Sequence, residues 1–157
     1  MPFLKVRLCN SMYQAVIFDL DGTILNTIDD LGDSANHILA AHGYPTHTIE
    51  RYKTFVGNGI PKLVERMLPS DVSSKEREQI LAEFKQYYDL HKEDKTAPYA
   101  GILDLLATLK AGGLKLCVLS NKQHLMAVQV VEHYFGAGTF DIIQGNSEQF
   151  PPKPDPA

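Results

Sequence analysis

A chain of 157 residues with 15 Lys and Arg against 19 Asp and Glu carries a formal charge of −4, so it has no general attraction for nucleic acid or an anionic membrane surface. Its 44% hydrophobic and 22% charged content is that of an ordinary globular protein of one to two domains. No stretch approaches the length of a membrane span, the opening "MPFLKVRLCNSM" lacks the apolar run of a signal peptide, and the two cysteines, Cys9 and Cys117, stand too far apart for a metal-type pair.

In chain order, residues 1–11 read as an N-terminal extension ahead of a natural start at Met12. Val16-Ile17-Phe18 is a short, β-favouring apolar run, the pattern of a strand buried on both faces of a parallel sheet. After it, apolar residues recur at helical spacing: Ile28, Leu31, Ala35, Ile38 and Leu39, then Ile60, Leu63, Val64, Met67 and Leu68, then Ile80, Leu81, Phe84 and Tyr88. The last set follows a capping box, Ser73 to Glu76. This predicts an all-helical insert over 27–96, with "TAPYAG" as the return linker. Ile102, Leu105, Leu106 and Leu109 form another helical stripe, stopped by Gly112-Gly113. A second strand is expected over Leu114–Leu119, with Cys117 as a buried small hydrophobe. A helix from about Lys122 to His133 and a third strand over Phe140–Ile143 follow. The order argues for an α/β protein whose open parallel sheet is built from 12–26 and 97–157. The closing "FPPKPDPA" cannot be helix interior.

The first strand ends in Asp19, Leu20, Asp21, Gly22 and Thr23. Side chains two apart in extended backbone point the same way, so both carboxylates would converge at the strand's carboxyl end, where open α/β sheets bind ligands. Like charges so placed repel unless a cation joins them or one keeps a proton. Mg²⁺ suits the place, taking one or two carboxylates, waters and phosphate oxygens, and a carboxylate can itself attack phosphorus. Gly22 would permit a tight turn, and Thr23 would offer a hydroxyl and a backbone N–H to a phosphate. The plain alternative is a strand-end turn, where Asp and Gly are common.

Two later stretches bear on the choice. Ser120-Asn121-Lys122 ends the second strand where a helix is expected, which suits an ordinary N-cap and equally a phosphate site at a helix start. Lys153-Pro154-Asp155-Pro156 holds a lysine in a rigid frame, either a fixed charge for a phosphoryl group or a solvated loop lysine.

"DLDGTILNT", "VLSNK" and "KPDP", in this order, resemble the haloacid dehalogenase superfamily of phosphohydrolases, over nearly the whole chain from about Met12. The resemblance implies a Rossmann-like core and reads the insert as that superfamily's small helical cap. Within the insert, "FVGNGIPKLVERML" is similar to the cap segment of phosphoglycolate phosphatases, so Gly57, Asn58 and Gly59 could approach a substrate carboxylate; a glycine-broken turn starting an amphipathic helix is the other reading. The resemblance implies that Asp19 is the nucleophile and a Mg²⁺ ligand. Asp21 would be the general acid/base and lend Mg²⁺ its backbone carbonyl. Ser120 and Lys153 would neutralise the phosphoryl oxygens, with Gly22, Thr23 and Asn121 around the phosphate. A phosphate ester needs a protonated leaving group, and Asp21 can supply it, which favours a phosphatase over a dehalogenase.

The expected activity is thus Mg²⁺-dependent hydrolysis of a small phosphorylated metabolite through an aspartyl-phosphate, with 2-phosphoglycolate the leading substrate. A pyrophosphatase or nucleotide phosphatase is the near alternative, and a truncated, non-catalytic binding or assembly module is the alternative of another class. No nucleic-acid or membrane partner is expected, and a reducing, cytoplasmic setting is. The superfamily's fourth motif, an acidic pair completing the Mg²⁺ site, has no match before Ala157. The expectation is a fragment or shortened form, with an incomplete core, poor Mg²⁺ binding, weak or no turnover, and a first-strand edge open to pairing between copies. Asn26 stands where the superfamily often has an acid. His37, His42, His47, His91, His124 and His133 lack the spacing of metal ligands and read as surface or packing residues.

Overall fold

The computed structural model describes residues 13–150 and 152–155; the expected N-terminal extension, Cys9 and Pro156 lie outside the described residues. In chain order the elements are β1 (Ala15–Phe18), β2 (Leu25–Asn26), α1 (Ile28–Ala41), α2 (Ile49–Tyr52), α3 (Ile60–Met67), α4 (Ser74–His91), β3 (Ala97–Pro98), α5 (Ile102–Ala111), β4 (Lys115–Gln123), α6 (His124–Phe135) and β5 (Ile142–Asn146). The result is mixed α/β, with a parallel three-stranded sheet of order β1-β4-β5 and an antiparallel β2-β3 ribbon.

Local chemistry explains the boundaries. The Ser73 hydroxyl accepts the Glu76 N–H at 3.2 Å and starts α4. Gly113, at φ 82°, takes the left-handed turn that ends the α5 segment. Helical periodicity then decides the packing. Ile80, Phe84 and Tyr88 recur every four residues along α4 and are completely buried. They join Leu31, Ala35 and Leu39 of α1 and Leu63 and Val64 of α3 in one core. A second core lies against the sheet, where Leu116 and Val118 of β4 meet Leu106 of α5 and Val130 and Val131 of α6. The β2-β3 ribbon marks where the chain leaves and re-enters the sheet layer. No helix among the described residues is long and apolar enough to cross a membrane.

Three expectations are corrected. The sheet is not buried on both faces. Both α5 and α6 cover the Leu116/Val118 side, while Ile17 is 66% and Ile142 59% exposed on strands of that sheet, and Cys117 is only partly buried. The second strand does not stop at Leu119: β4 runs to Gln123, burying Ser120 and Lys122 on the same alternating face as Leu116 and Val118. Ser120 and Asn121 are therefore not a helix cap. Gln123 caps α6, its side chain accepting the Met126 N–H at 3.0 Å. The third strand begins at Ile142, two residues later than expected, and takes in Gly145.

Gly145 has a packing reason. A Cβ there would lie 2.6 Å from the Lys122 carbonyl oxygen and 2.6 Å from the His124 Cα, backbone atoms that cannot rotate away. Gly145→Ala is expected to destabilise the fold by about 2–3 kcal/mol, seen as a lower denaturant midpoint with an unchanged slope.

Candidate active site

Asp19 directly follows β1, at its carboxyl end. Gly22 (φ 78°) then turns the chain back, its N–H donating to the Leu25 carbonyl at 2.8 Å. The Thr23 N–H donates to Leu20 at 3.2 Å. That backbone donor is spent inside the turn, contrary to expectation, and what Thr23 keeps for a ligand is its exposed side chain.

The repulsion between the two aspartates is answered within the chain. The Lys153 ammonium donates to Asp19 Oδ1 at 2.8 Å and to the Leu119 carbonyl at 2.9 Å. The Lys122 ammonium donates to Asp21 Oδ1 at 3.3 Å and to the Tyr88 hydroxyl at 2.9 Å. Each carboxylate thus has its own cation, from a segment more than a hundred residues away. The two pairs differ in setting. Lys153 and Asp19 are 34% and 43% exposed, whereas Lys122 is 4% exposed and sealed beneath Tyr88. Burial alone would depress the Lys122 ammonium, but the Asp21 charge and the Tyr88 oxygen outweigh it and hold Lys122 above the usual lysine range. Burial pushes the Tyr88 phenol up, keeping it neutral.

Beside these groups lies a cavity of about 230 Å³. Asp19, Asp21 and Ser120 line it from the sheet side, and Gly57, Gly59 and Lys85 from the helical insert. Ser120 is buried, its hydroxyl accepting the Lys122 N–H at 3.1 Å. Asn121 lines the cavity too, but its amide acts as a strut. It donates to the Gly57 carbonyl at 2.9 Å and accepts the Lys153 N–H at 2.6 Å, tying the insert to the lysine loop. The Asn58 side chain is drawn away by Arg66, 2.8 Å distant. The backbone positions Gly57 (φ 104°) and Gly59 (φ 82°) are what this loop presents to the cavity.

The structure therefore brings Asp19, Asp21, Ser120, Asn121, Lys153, Gly57 and Gly59 to one place and leaves Gly22, Thr23 and Asn58 at its margin. Sequence reasoning missed Lys122, Tyr88 and Lys85. Lys122 stood in plain sight in "VLSNK", and Tyr88 read as core because it repeats the helical stripe.

The Asp19 carboxylate and the Asp21 backbone carbonyl suit Mg²⁺ by the chemistry of the donors, both being hard oxygens on part-exposed residues. Among the described residues no group of three or more His, Cys, Asp or Glu is placed to hold a metal, so such an ion would take most of its shell from water and substrate. The histidines make other contacts: His42 bonds Glu83, His47 the Met67 carbonyl, and His37 stacks on Tyr87.

The profile of haloacid dehalogenase-like hydrolases matches residues 16–157. The phosphoglycolate phosphatase of Thiobacillus denitrificans is 32% identical over 83% of this chain and 58% of its own length. That of Chromobacterium violaceum is 37% identical over 84% of this chain and 61% of its own. A crystal structure of a candidate phosphoglycolate phosphatase from Lactobacillus delbrueckii subsp. bulgaricus superposes with a TM-score of 0.86 at 35% identity, covering 92% of this chain and 69% of that one. The chain spans less than two thirds of the length of these two curated relatives.

Proposed function

We propose a phosphatase activity from one premise: this chain belongs to the haloacid dehalogenase-like hydrolase family, whose profile covers residues 16–157. The substrate proposed is a small phosphomonoester carrying a second anion, with 2-phosphoglycolate the leading case. The observation that carries this reading is the convergence of Lys153, Asp19, Asp21 and Ser120 beside a cavity also lined by the insert.

In this reading residues 12–26 and 97–157 are the catalytic core and 27–96 the cap. Asp19 attacks phosphorus; its oxygen bonds to the phosphoryl group as the ester P–O bond breaks. Asp21 gives the departing alkoxide its proton. The Asp21 carboxylate then takes a proton from water, whose oxygen bonds to phosphorus as the Asp19–phosphorus bond breaks. Lys153 and the Ser120 hydroxyl hold the non-transferring oxygens, the positioning and charge neutralisation on which phosphoryl transfer mostly depends. Mg²⁺, held by the Asp19 carboxylate and the Asp21 carbonyl, would supply further neutralisation of phosphoryl charge. The cap covers the site and excludes water. A cytoplasmic setting, with no nucleic-acid or membrane partner, belongs to the same proposal.

Lys85, on α4, and the Gly57–Gly59 backbone supply the cap's polar contribution to the cavity. A cation there would pair with the substrate carboxylate. The test is a substrate panel with the full-length protein encoded by its gene. 2-Phosphoglycolate is expected to be hydrolysed with a kcat/KM well above that of ethyl phosphate, which lacks the carboxylate. Lys85→Gln is expected to raise KM for 2-phosphoglycolate about tenfold and leave that for ethyl phosphate within about twofold. No preference for 2-phosphoglycolate in the parent protein would rule out the narrow substrate assignment.

A further inference from the structure

We propose that Lys122 is a positioning residue through which the cap sets the proton-transferring group: Tyr88 holds the Lys122 ammonium, and the ammonium holds the Asp21 carboxylate by one oxygen. The inference deepens the phosphatase reading and rests on it.

Lys122 stands where three parts of the molecule meet. Its backbone belongs to the last turn of pleat in β4 and is pressed against β5, because only a glycine at 145 lets the Lys122 carbonyl approach so closely. Its own N–H is held by the Ser120 hydroxyl. The side chain leaves this fixed base and reaches two partners from opposite layers: Tyr88 of α4, at 2.9 Å to the hydroxyl and 5.0 Å to the ring centroid, and Asp21 Oδ1 at 3.3 Å. Tyr88 is completely buried and packs against Phe84, so the hydroxyl that receives the ammonium has little freedom.

The consequence is orientational. A carboxylate in a partly open cavity samples several rotamers, and only a few put an oxygen in line with an ester oxygen or an attacking water. Tethering Oδ1 leaves Oδ2 as the oxygen that carries the proton. The tether reaches into the cap, so displacement of α4 would free the ammonium and with it the Asp21 side chain. A passive strut spanning two layers would make the same contacts. The distinction is whether Asp21's chemistry, rather than the whole site, depends on it.

The leaving group separates the two. An alkoxide needs a proton as it departs; p-nitrophenolate does not. In the full-length protein, Lys122→Met is expected to lower the ratio of kcat/KM for 2-phosphoglycolate to that for p-nitrophenyl phosphate by about tenfold or more. Tyr88→Phe, which keeps the ring and removes only the hydroxyl, is expected to lower it about threefold, and Lys122→Arg to restore most of the ratio. Competitive inhibition by inorganic phosphate is expected to stay within about twofold of the parent in each variant, because Lys122 is not assigned to phosphate. Equal losses on both esters, or a parallel loss of phosphate affinity, would overturn the proposal in favour of a strut or a phosphate ligand. Independently of turnover, the ¹⁵N signal of the Lys122 ammonium is expected to shift in both Asp21→Asn and Tyr88→Phe. A signal that responds to only one of them means the linkage is broken and the proposal falls. Should the parent protein hydrolyse neither ester, the phosphatase reading fails by itself, and the ammonium signal still decides the linkage.

Discussion

Asp19→Asn is expected to lower phosphomonoester hydrolysis by on the order of 10⁴-fold or more while leaving the fold intact. The amide has the size and shape of the carboxylate, so the turn from Leu20 to Leu25 is undisturbed, and Lys153 can donate to the amide oxygen instead. What disappears is the electron pair that attacks phosphorus. The lost ion pair costs little stability, because both partners are more than a third exposed and such pairs contribute about 0–1 kcal/mol. The measurement is kcat in the full-length protein, paired with acid-quench trapping of phosphoprotein during turnover. The parent is expected to trap label and the variant none. Substantial hydrolysis by Asp19→Asn would show that another group attacks, or that water does so directly, and the assigned nucleophile would be wrong.

The second large effect concerns how the helical layer is fastened. Asp30, in the first turn of α1, is only 3% exposed. Its carboxylate accepts the Lys95 N–H at 2.9 and 3.1 Å and the Thr96 N–H at 2.8 Å. Those residues are the last before β3, where the chain returns to the sheet layer. Asp30→Ala would leave two backbone donors without their acceptor, one of them buried, and such donors cost about 1–3 kcal/mol each. A loss of about 3 kcal/mol is expected, read from denaturant unfolding. Asp30→Asn, which keeps one acceptor oxygen, is expected to lose about half as much. Asp33 is the internal control: it pairs with the Lys95 side chain on the surface, where both are at least half exposed. Asp33→Ala is expected to cost less than about 0.5 kcal/mol. Equal losses at positions 30 and 33 would mean that the strap has no special role in the fold.

Both predictions depend on acids that look alike in sequence, which bears on how much was legible there. Asp19 and Asp21 announced themselves because an apolar strand run ended in two charges and a glycine, a combination with few explanations. Asp30 did not: an acid in the first turn of a helix is ordinary dipole complementation, and nothing nearby in sequence says that residues 95 and 96 will arrive to use it. Lys85 was illegible for the same reason, and Lys122, visible within "VLSNK", carried no local sign of its partners. A lysine on a helix or after a strand reads as solvated, and only the approach of distant segments turns one into a cavity wall and the other into a buried link. Helical spacing places Tyr88 in the core, as the structure does, but says nothing of the partner its hydroxyl finds in Lys122. The mistaken end of β4 has a related origin. Ser120, Asn121 and Lys122 are polar and resemble a loop, yet they continue the alternation because Ser120 and Lys122 find polar partners on the buried face.

Sequence alone determined the type and order of the longer elements, though not the two-residue strands β2 and β3 or the short α2, together with the parallel sheet with a helical insert after its first strand, and the pair of acids at that strand's end. These follow from periodicity, capping and charge placement, all local properties of the chain. Tertiary structure decided which cation answers each acid, which face of the sheet is covered, and that the Asn121 amide braces the Gly57 and Lys153 segments. Those depend on contacts between residues 30 to more than 100 positions apart, where burial converts an ordinary lysine or tyrosine into a fixed charge or a fixed acceptor.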